Sequence, residues 1–228
     1  MREVPYERQT VDHPNPVARF AHRARMRRST GLVRPYLTGS ATLLDYGCGQ
    51  GRFLSELALE FVECPLTLLG YDPHQNAQFD GYRVVSDPAQ IPPGTVDVVT
   101  SLEVCEHLTE AEMQEFIGFS DSVLTPHGRL LVSVPIMTGP ALLAKELSRT
   151  ILLHRRTDYS ARHLVKASLL GSATPRAEDI KASHRGFDWR APLDQLRETF
   201  ALEHTEFSPL PFNHWYGQSQ VIMLFHKR

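Results

Sequence analysis

The chain has 228 residues, 42% of them hydrophobic, which suits one α/β domain with decorations. A net charge of −2 argues against a general polyanion binder, and no apolar run approaches the roughly 20 residues that span a bilayer. Three cysteines, Cys48, Cys64 and Cys105, do not make a disulfide framework; with a polar N-terminus unlike a signal peptide, they lead us to expect a cytoplasmic protein.

Residues 1–14 are polar and Pro-rich. Between His13 and Leu44 there are six arginines and no acidic residue, and Val17, Phe20, Ala21 and Ala24 form a short helical stripe. This predicts a basic helix ending near Gly31, followed by a second short piece. Strand and helix then alternate. Ala41 to Tyr46 is an apolar strand, and Leu54, Leu57, Ala58 and Phe61 share one helical face. Leu66 to Tyr71 is the second strand and Tyr82 to Val85 the third. Val96 to Leu102, with Val96, Val98, Val99 and Leu102, is read as the fourth strand, buried on both faces. Thr109-Glu110-Ala111-Glu112 is a capping-box pattern opening a helix that carries Met113, Phe116 and Ile117. Arg129 to Val134 is the fifth strand. Residues 136–186, with nine Lys/Arg between Lys145 and Arg185, are too long for an ordinary connection and predict a helical insertion or lid. Leu193, Leu196 and Phe200 mark a last helix, and Ala201 to Phe207 and Gln218 to Phe225 the last two strands.

The segment Asp45-x-Gly47-x-Gly49-x-Gly51 lies between a predicted strand and helix, where glycines permit a tight turn and a close ligand, and helix amides face that ligand. The dinucleotide version of this turn is G-x-G-x-x-G. Here Arg52 stands at the third glycine position and Gly51 comes one residue early. The pattern resembles that of class I S-adenosylmethionine-dependent methyltransferases, over roughly residues 40–135 and again over 187–226. The resemblance implies a Rossmann-like, mostly parallel seven-stranded sheet with helices on both faces, plus the N-terminal basic helix and the insertion before the last two strands. It implies a single domain over 1–228, with 1–40 as arm and helix. It also implies S-adenosylmethionine as cofactor, bound by Asp45, Gly47, Cys48, Gly49 and Gly51, by Asp72 at the ribose, by Asp87 at the adenine amino group, and by Glu103. Asp72 comes 21 residues after Gly51, and two neighbouring hydroxyl donors suit its carboxylate. Thr125-Pro126-His127-Gly128-Arg129 resembles the family's turn into the fifth strand.

After the fourth strand the chain reads Glu103-Val104-Cys105-Glu106-His107. If helical, Glu103, Glu106 and His107 share a face and could hold a divalent cation. The stretch resembles the Glu-x-x-Glu-His motif of the small-RNA 3′-end 2′-O-methyltransferases, whose metal set includes a later histidine, here matched loosely by His184. It is also similar to that of the ubiquinone-pathway O-methyltransferases. Three readings stay open: a Mg2+ or Mn2+ site of Glu103, Glu106, His107 and His184; His107 or His184 as general base, with Glu103 in the catalytic set; or glutamates that only orient loops beside a packing histidine.

The expected reaction is O-methylation of a hydroxyl on a small molecule, glycan or lipid-linked intermediate. The arginine-rich helix and the basic, leucine-containing insertion fit an anionic or amphiphilic acceptor and peripheral membrane contact, and equally fit a solvated face and a plain lid. Nucleic acid is the less favoured partner, since there is no added RNA-binding module. RNA 2′-O-methylation and a non-catalytic cofactor-binding regulatory protein are the rival functions, the latter opposed by the intact glycine loop and cofactor carboxylates.

Overall fold

A computed structural model describes residues 16–153, 157, 159–172, 174–181 and 183–228. The arm at 1–14 and part of the leucine-containing stretch at 151–158 lie outside the described residues. By contacts the chain divides into two compact units. One comprises Ser29–Val134, Arg190–Thr205 and Met223–Arg228, and the other takes the chain up to Arg28, Pro135–Trp189 and Glu206–Ile222.

The elements follow one another as α1 (Pro16–Val33), β1 (Thr42–Tyr46), α2 (Arg52–Glu60), β2 (Thr67–Tyr71), β3 (Ala77–Phe79), β4 (Tyr82–Val85), β5 (Val96–Leu102), α3 (Glu110–Val123), β6 (Leu124–Pro135), α4 (Pro140–Leu153), α5 (Ala161–Leu170), α6 (Arg190–Thr199), β7 (Phe200–Ser208) and β8 (Gln220–Lys227). The strands form one sheet in the order β3-β4-β2-β1-β5-β6-β8-β7. β1 pairs in parallel with β2 and β5, β2 with β4, and β5 with β6. This is a Rossmann-like, mostly parallel sheet, as the sequence resemblance implies. Chain order runs outward from β1 to β2 and β4, then resumes on β1's other side with β5. The crevice at the carboxyl ends of β1 and β5 is therefore the topological switch point, where open α/β sheets bind ligands.

The first unit's core is made of the apolar strands and helix faces that periodicity marks. Leu43, Leu44, Val98, Val99, Leu130 and Leu131 are wholly buried. In α2, Phe53, Leu54 and Leu57 face inward, and in α3, Met113, Phe116 and Ile117 do the same. Thr109 and Glu112 form the capping box by exchanging side-chain and backbone bonds at the start of α3.

Three expectations are corrected. The sheet has eight strands, because Asp80-Gly81, with Gly81 at φ +83°, folds Ala77–Phe79 back antiparallel on β4. The added strand is three residues long, too short for an apolar alternation to mark it. The N-terminal helix ends at Val33, two residues past Gly31, and the expected second short piece is the 3-10 turn Arg34–Tyr36. Phe200 opens β7 instead of closing α6, and it is fully buried there. The insertion is helical only over α4 and α5. Its second half, from Gly171 on, is irregular and rich in turn residues, and Arg176 stacks 5.3 Å over the Phe187 ring there.

Within the second unit, α4 and α5 pack on each other. The Gly139 N–H, just before α4, donates to the Ala167 carbonyl in the last turn of α5 at 2.8 Å. Arg28 donates to the Glu206 carboxylate at 2.5 Å and to the carbonyls of Phe207 and Leu210, both at 2.9 Å, so one of the predicted basic residues is structural. No helix of the described residues is long and apolar enough to cross a membrane.

Candidate functional site

Apart from His184, the site residues read from the sequence lie at or just beyond the carboxyl ends of β1, β2, β4 and β5, which lie side by side. Asp45, one residue before the end of β1, is a buried carboxylate whose Oδ1 accepts from Thr100 Oγ1 at 2.7 Å, across the β1–β5 pairing. Beyond it the chain turns sharply. The Gly47 and Cys48 N–H groups both donate to the Tyr71 carbonyl, at 2.8 and 3.2 Å, and Gly51 N–H donates to the Cys48 carbonyl at 2.9 Å. Gly47, Gly49 and Gly51 have φ of +72°, +52° and +74°, the left-handed region that other residues enter only at a cost.

Each glycine has a separate spatial reason. A Cβ on Gly47 would lie 2.6 Å from Val104 Cγ2, and one on Gly51 2.4 Å from the Tyr82 ring. Around Gly49 nothing lies within 4 Å of that position, so the middle of the loop is open to a ligand at backbone range. That opening, beside the first turn of α2, fits a cofactor held by backbone amides.

Asp72 follows β2. Its Oδ2 accepts from Gly49 N–H at 3.0 Å and its Oδ1 from His74 N–H at 2.9 Å. A carboxylate has about four lone-pair sites, so two remain for a pair of hydroxyls. Asp87 follows β4, is exposed, and caps the short 3-10 turn Pro88–Gln90 by accepting from Ala89 N–H at 2.9 Å.

After β5 the sequence expectation fails in its geometry. Glu103 has φ +60°, alone among the described non-glycine residues, and its N–H donates to the Ser133 carbonyl at 2.9 Å. The 3-10 turn begins only at Cys105 and ends at His107. Glu103, Glu106 and His107 therefore share no helical face, because a left-handed residue and a tighter turn replace the α-helix that i, i+3, i+4 spacing needs. The Glu106 carboxylate is wholly buried, while the His107 side chain is 32% exposed, with Nε2 4.0 Å from Glu106 Oε1. His184 belongs to the other unit, in a turn closed by Phe187 N–H donating to its carbonyl at 3.1 Å.

Sequence reasoning missed the residues that brace the loop. Thr100 orients Asp45 from 55 positions away, and Tyr82 packs on Gly51 while its hydroxyl donates to the Gln50 carbonyl at 3.3 Å. Val104 fills the space at Gly47 and stands inside the Glu-x-x-Glu-His stretch, so only the polar half of that motif was read. Tyr46 packs 4.7 Å from the Phe116 ring and 5.1 Å from Tyr71. Burial, reinforced by neighbouring Tyr71, Cys105 and glutamates, pushes its hydroxyl up to about 12, so it stays neutral. Burial likewise raises the Cys48 thiol, aided by Asp45 and Asp72, and the Cys105 thiol, aided by Glu106. Neither cysteine has the lowered pKa that a thiolate nucleophile needs.

A family model of the methyltransferase domain matches residues 17–192, and the chain belongs to this family, the class I S-adenosylmethionine-dependent methyltransferases. Solved structures share the fold at low identity. A 1,6-didemethyltoxoflavin-N1-methyltransferase from Burkholderia thailandensis, with bound 1,6-didemethyltoxoflavin and S-adenosylhomocysteine, is 17% identical; the match covers 100% of this chain and 92% of that one, with a TM-score of 0.58. An S-adenosylmethionine-dependent methyltransferase from Mesorhizobium loti is 20% identical, covering 88% and 96%, with a TM-score of 0.55. The PH0226 protein from Pyrococcus horikoshii OT3 is 14% identical, covering 100% of each chain, with a TM-score of 0.58. No curated protein matches the sequence.

Proposed function

We propose that this methyltransferase acts on a hydroxyl of a small-molecule, glycan or lipid-linked acceptor, with His107 taking the hydroxyl proton. The observation that carries the reading is the pair after β5: a partly exposed imidazole with a fully buried carboxylate 4.0 Å from its Nε2. A hydroxyl is a weak nucleophile at neutral pH, so a positioned base has work to do. Glu106 would orient the ring and stabilise it once protonated. The cofactor supplies an electrophilic methyl on a sulfonium, which needs no activation by the protein.

The remaining residues then bind and position. Gly47, Cys48, Gly49 and Gly51 would let the cofactor approach the backbone at the open side of Gly49, and the buried Asp45 would take its amino group. Asp72 would take the ribose hydroxyls and Asp87 the adenine amino group, and Glu103, held in a left-handed conformation, would complete the cofactor's contacts.

A second reading uses the same pair with a divalent ion. Glu106 and His107 would then be ligands, with Glu103 a candidate third, and Mg2+ or Mn2+ would lower the hydroxyl's pKa. Methyl transfer to phenols, vicinal diols and polyprenol-type alcohols, followed by product analysis, tests both. His107→Gln should abolish transfer with unchanged cofactor affinity by calorimetry. Full activity in excess chelator rules out the metal reading, and a product methylated on nitrogen or carbon rules out the hydroxyl.

A further inference from the structure

Most of the exposed large apolar side chains among the described residues lie in the unit that contains α4 and α5. In α5, Ala167 and Ser168 are buried, whereas Arg162, Val165, Lys166, Leu169 and Leu170 are exposed, Leu169 by 60% and Leu170 by 72%. Residues four apart lie above one another on a helix, so Arg162 and Lys166 form one row and Val165 and Leu169 the row beside it. A soluble helix normally buries its aliphatic row and exposes its cations. Here both are turned outward together.

The patch continues beyond the helix. α5 ends at Gly171, at φ +62°, where an added Cβ would lie 2.6 Å from the Trp215 ring. That contact fixes the 209–217 loop against the end of α5. The loop carries Phe212, 45% exposed, and Tyr216, 41% exposed, with Tyr216 edge-on to Trp215 at 5.4 Å. No acidic residue occurs between Tyr159 and Ala177, nor anywhere from Phe207 to the last residue, Arg228. Leucines beside cations, with aromatic rings at the border and no acidic group, are complementary to an anionic lipid interface. Aliphatics enter the acyl boundary, rings sit at headgroup level, and Lys and Arg pair with headgroup charge.

We propose that the outward face of α5 together with the 209–217 loop docks this protein on the surface of an anionic lipid bilayer. The contact is peripheral: ten residues of helix reach about 15 Å, half the hydrocarbon thickness, so α5 lies in the plane of the interface. The proposal does not rest on the acceptor's identity, because binding is read without methyl transfer.

The test is co-sedimentation of the full chain with vesicles of mixed phosphatidylglycerol and phosphatidylcholine, against pure phosphatidylcholine. Wild type should bind the mixed vesicles and leave the neutral ones, and added salt should release it. Lys166→Ala should lower the partition coefficient about fivefold, and Leu169→Ser with Leu170→Ser roughly tenfold or more. These side chains are exposed, so circular dichroism and cofactor affinity should match wild type in each variant. Absence of binding, equal binding to both vesicle types, or wild-type binding by both variants would overturn the proposal. So would a dimer in light scattering that the leucine variant dissolves while vesicle binding is absent, since the face would then belong to a second copy.

Discussion

Asp72 holds the glycine loop before it holds any ligand. Its two oxygens accept from Gly49 and His74, so the amide the cofactor would approach is already oriented by the carboxylate that would take the ribose. Asp72→Ala removes both functions at once. S-adenosylmethionine binding should weaken by about 1.5–3 kcal/mol, the range for charge-assisted hydrogen bonds, while the fold survives. Unchanged affinity by calorimetry would move the ribose elsewhere. Gly47 makes a sharper case, because two independent costs meet there. Its φ of +72° disfavours any side chain, and a Cβ would press within 2.6 Å of Val104. Gly47→Ala should destabilise the protein by about 1–3 kcal/mol. Adding Val104→Ala should recover only the steric part, since the backbone conformation remains. Full recovery of the melting temperature in the double variant would show that φ contributes nothing.

At the scale of elements, β7 is tied to its surroundings by Glu203. Its carboxylate accepts from Tyr36 Oη and Arg129 Nε, both at 2.7 Å, and His226 Nδ1 lies 3.8 Å away. Burial pushes the Glu203 carboxyl up, but the Tyr36 hydrogen bond and the Arg129 charge outweigh it and hold it below the usual carboxylate range. A carboxyl lowered in the folded state stabilises the fold fully above its unfolded value, about 4.3. That contribution is lost as pH falls through the lower folded value. Acid titration of stability should therefore show a smaller loss below about pH 4 in Glu203→Gln than in wild type. Parallel curves would mean that the network carries no proton linkage. The strand itself was legible as Ala201 to Phe207, but the network around Glu203 could not be read from the chain alone. Val96–Leu102 was legible because Val96, Val98 and Val99, all wholly buried, mark it as a central strand despite Asp97, Thr100 and Ser101. The glycine loop was legible because its backbone geometry restricts the residues allowed. Ala77–Phe79, by contrast, owes its strand to one Asp-Gly turn, and Thr100, Tyr82 and Val104 act on the loop from other elements, where no local pattern marks them. The shape of the Glu-x-x-Glu-His stretch was not legible, since spacing alone cannot reveal that Glu103 is left-handed.

For the whole molecule, the two units differ in what their surfaces and interiors are made of. β1 lies between two parallel neighbours, and β5 has buried side chains at five of its seven positions. α5 has two buried residues in ten and exposes aliphatics to water. Local opening is cheap where few apolar contacts must be broken and approaches the global unfolding energy where many must. Hydrogen exchange read by mass spectrometry should then separate two regimes. Peptides from β1 and β5 should exchange only through global unfolding, slowing and speeding with denaturant in step with the equilibrium transition. Peptides from α4 and α5 should exchange through a smaller opening that depends less on denaturant, because less surface is exposed on opening. If amides of 140–170 match those of 96–102 in rate and denaturant slope, the insertion unfolds only with the sheet. Faster exchange at α5 would instead fit a segment that keeps its aliphatic face available at little cost in global stability, since the rest of the chain does not need α5 closed to remain folded.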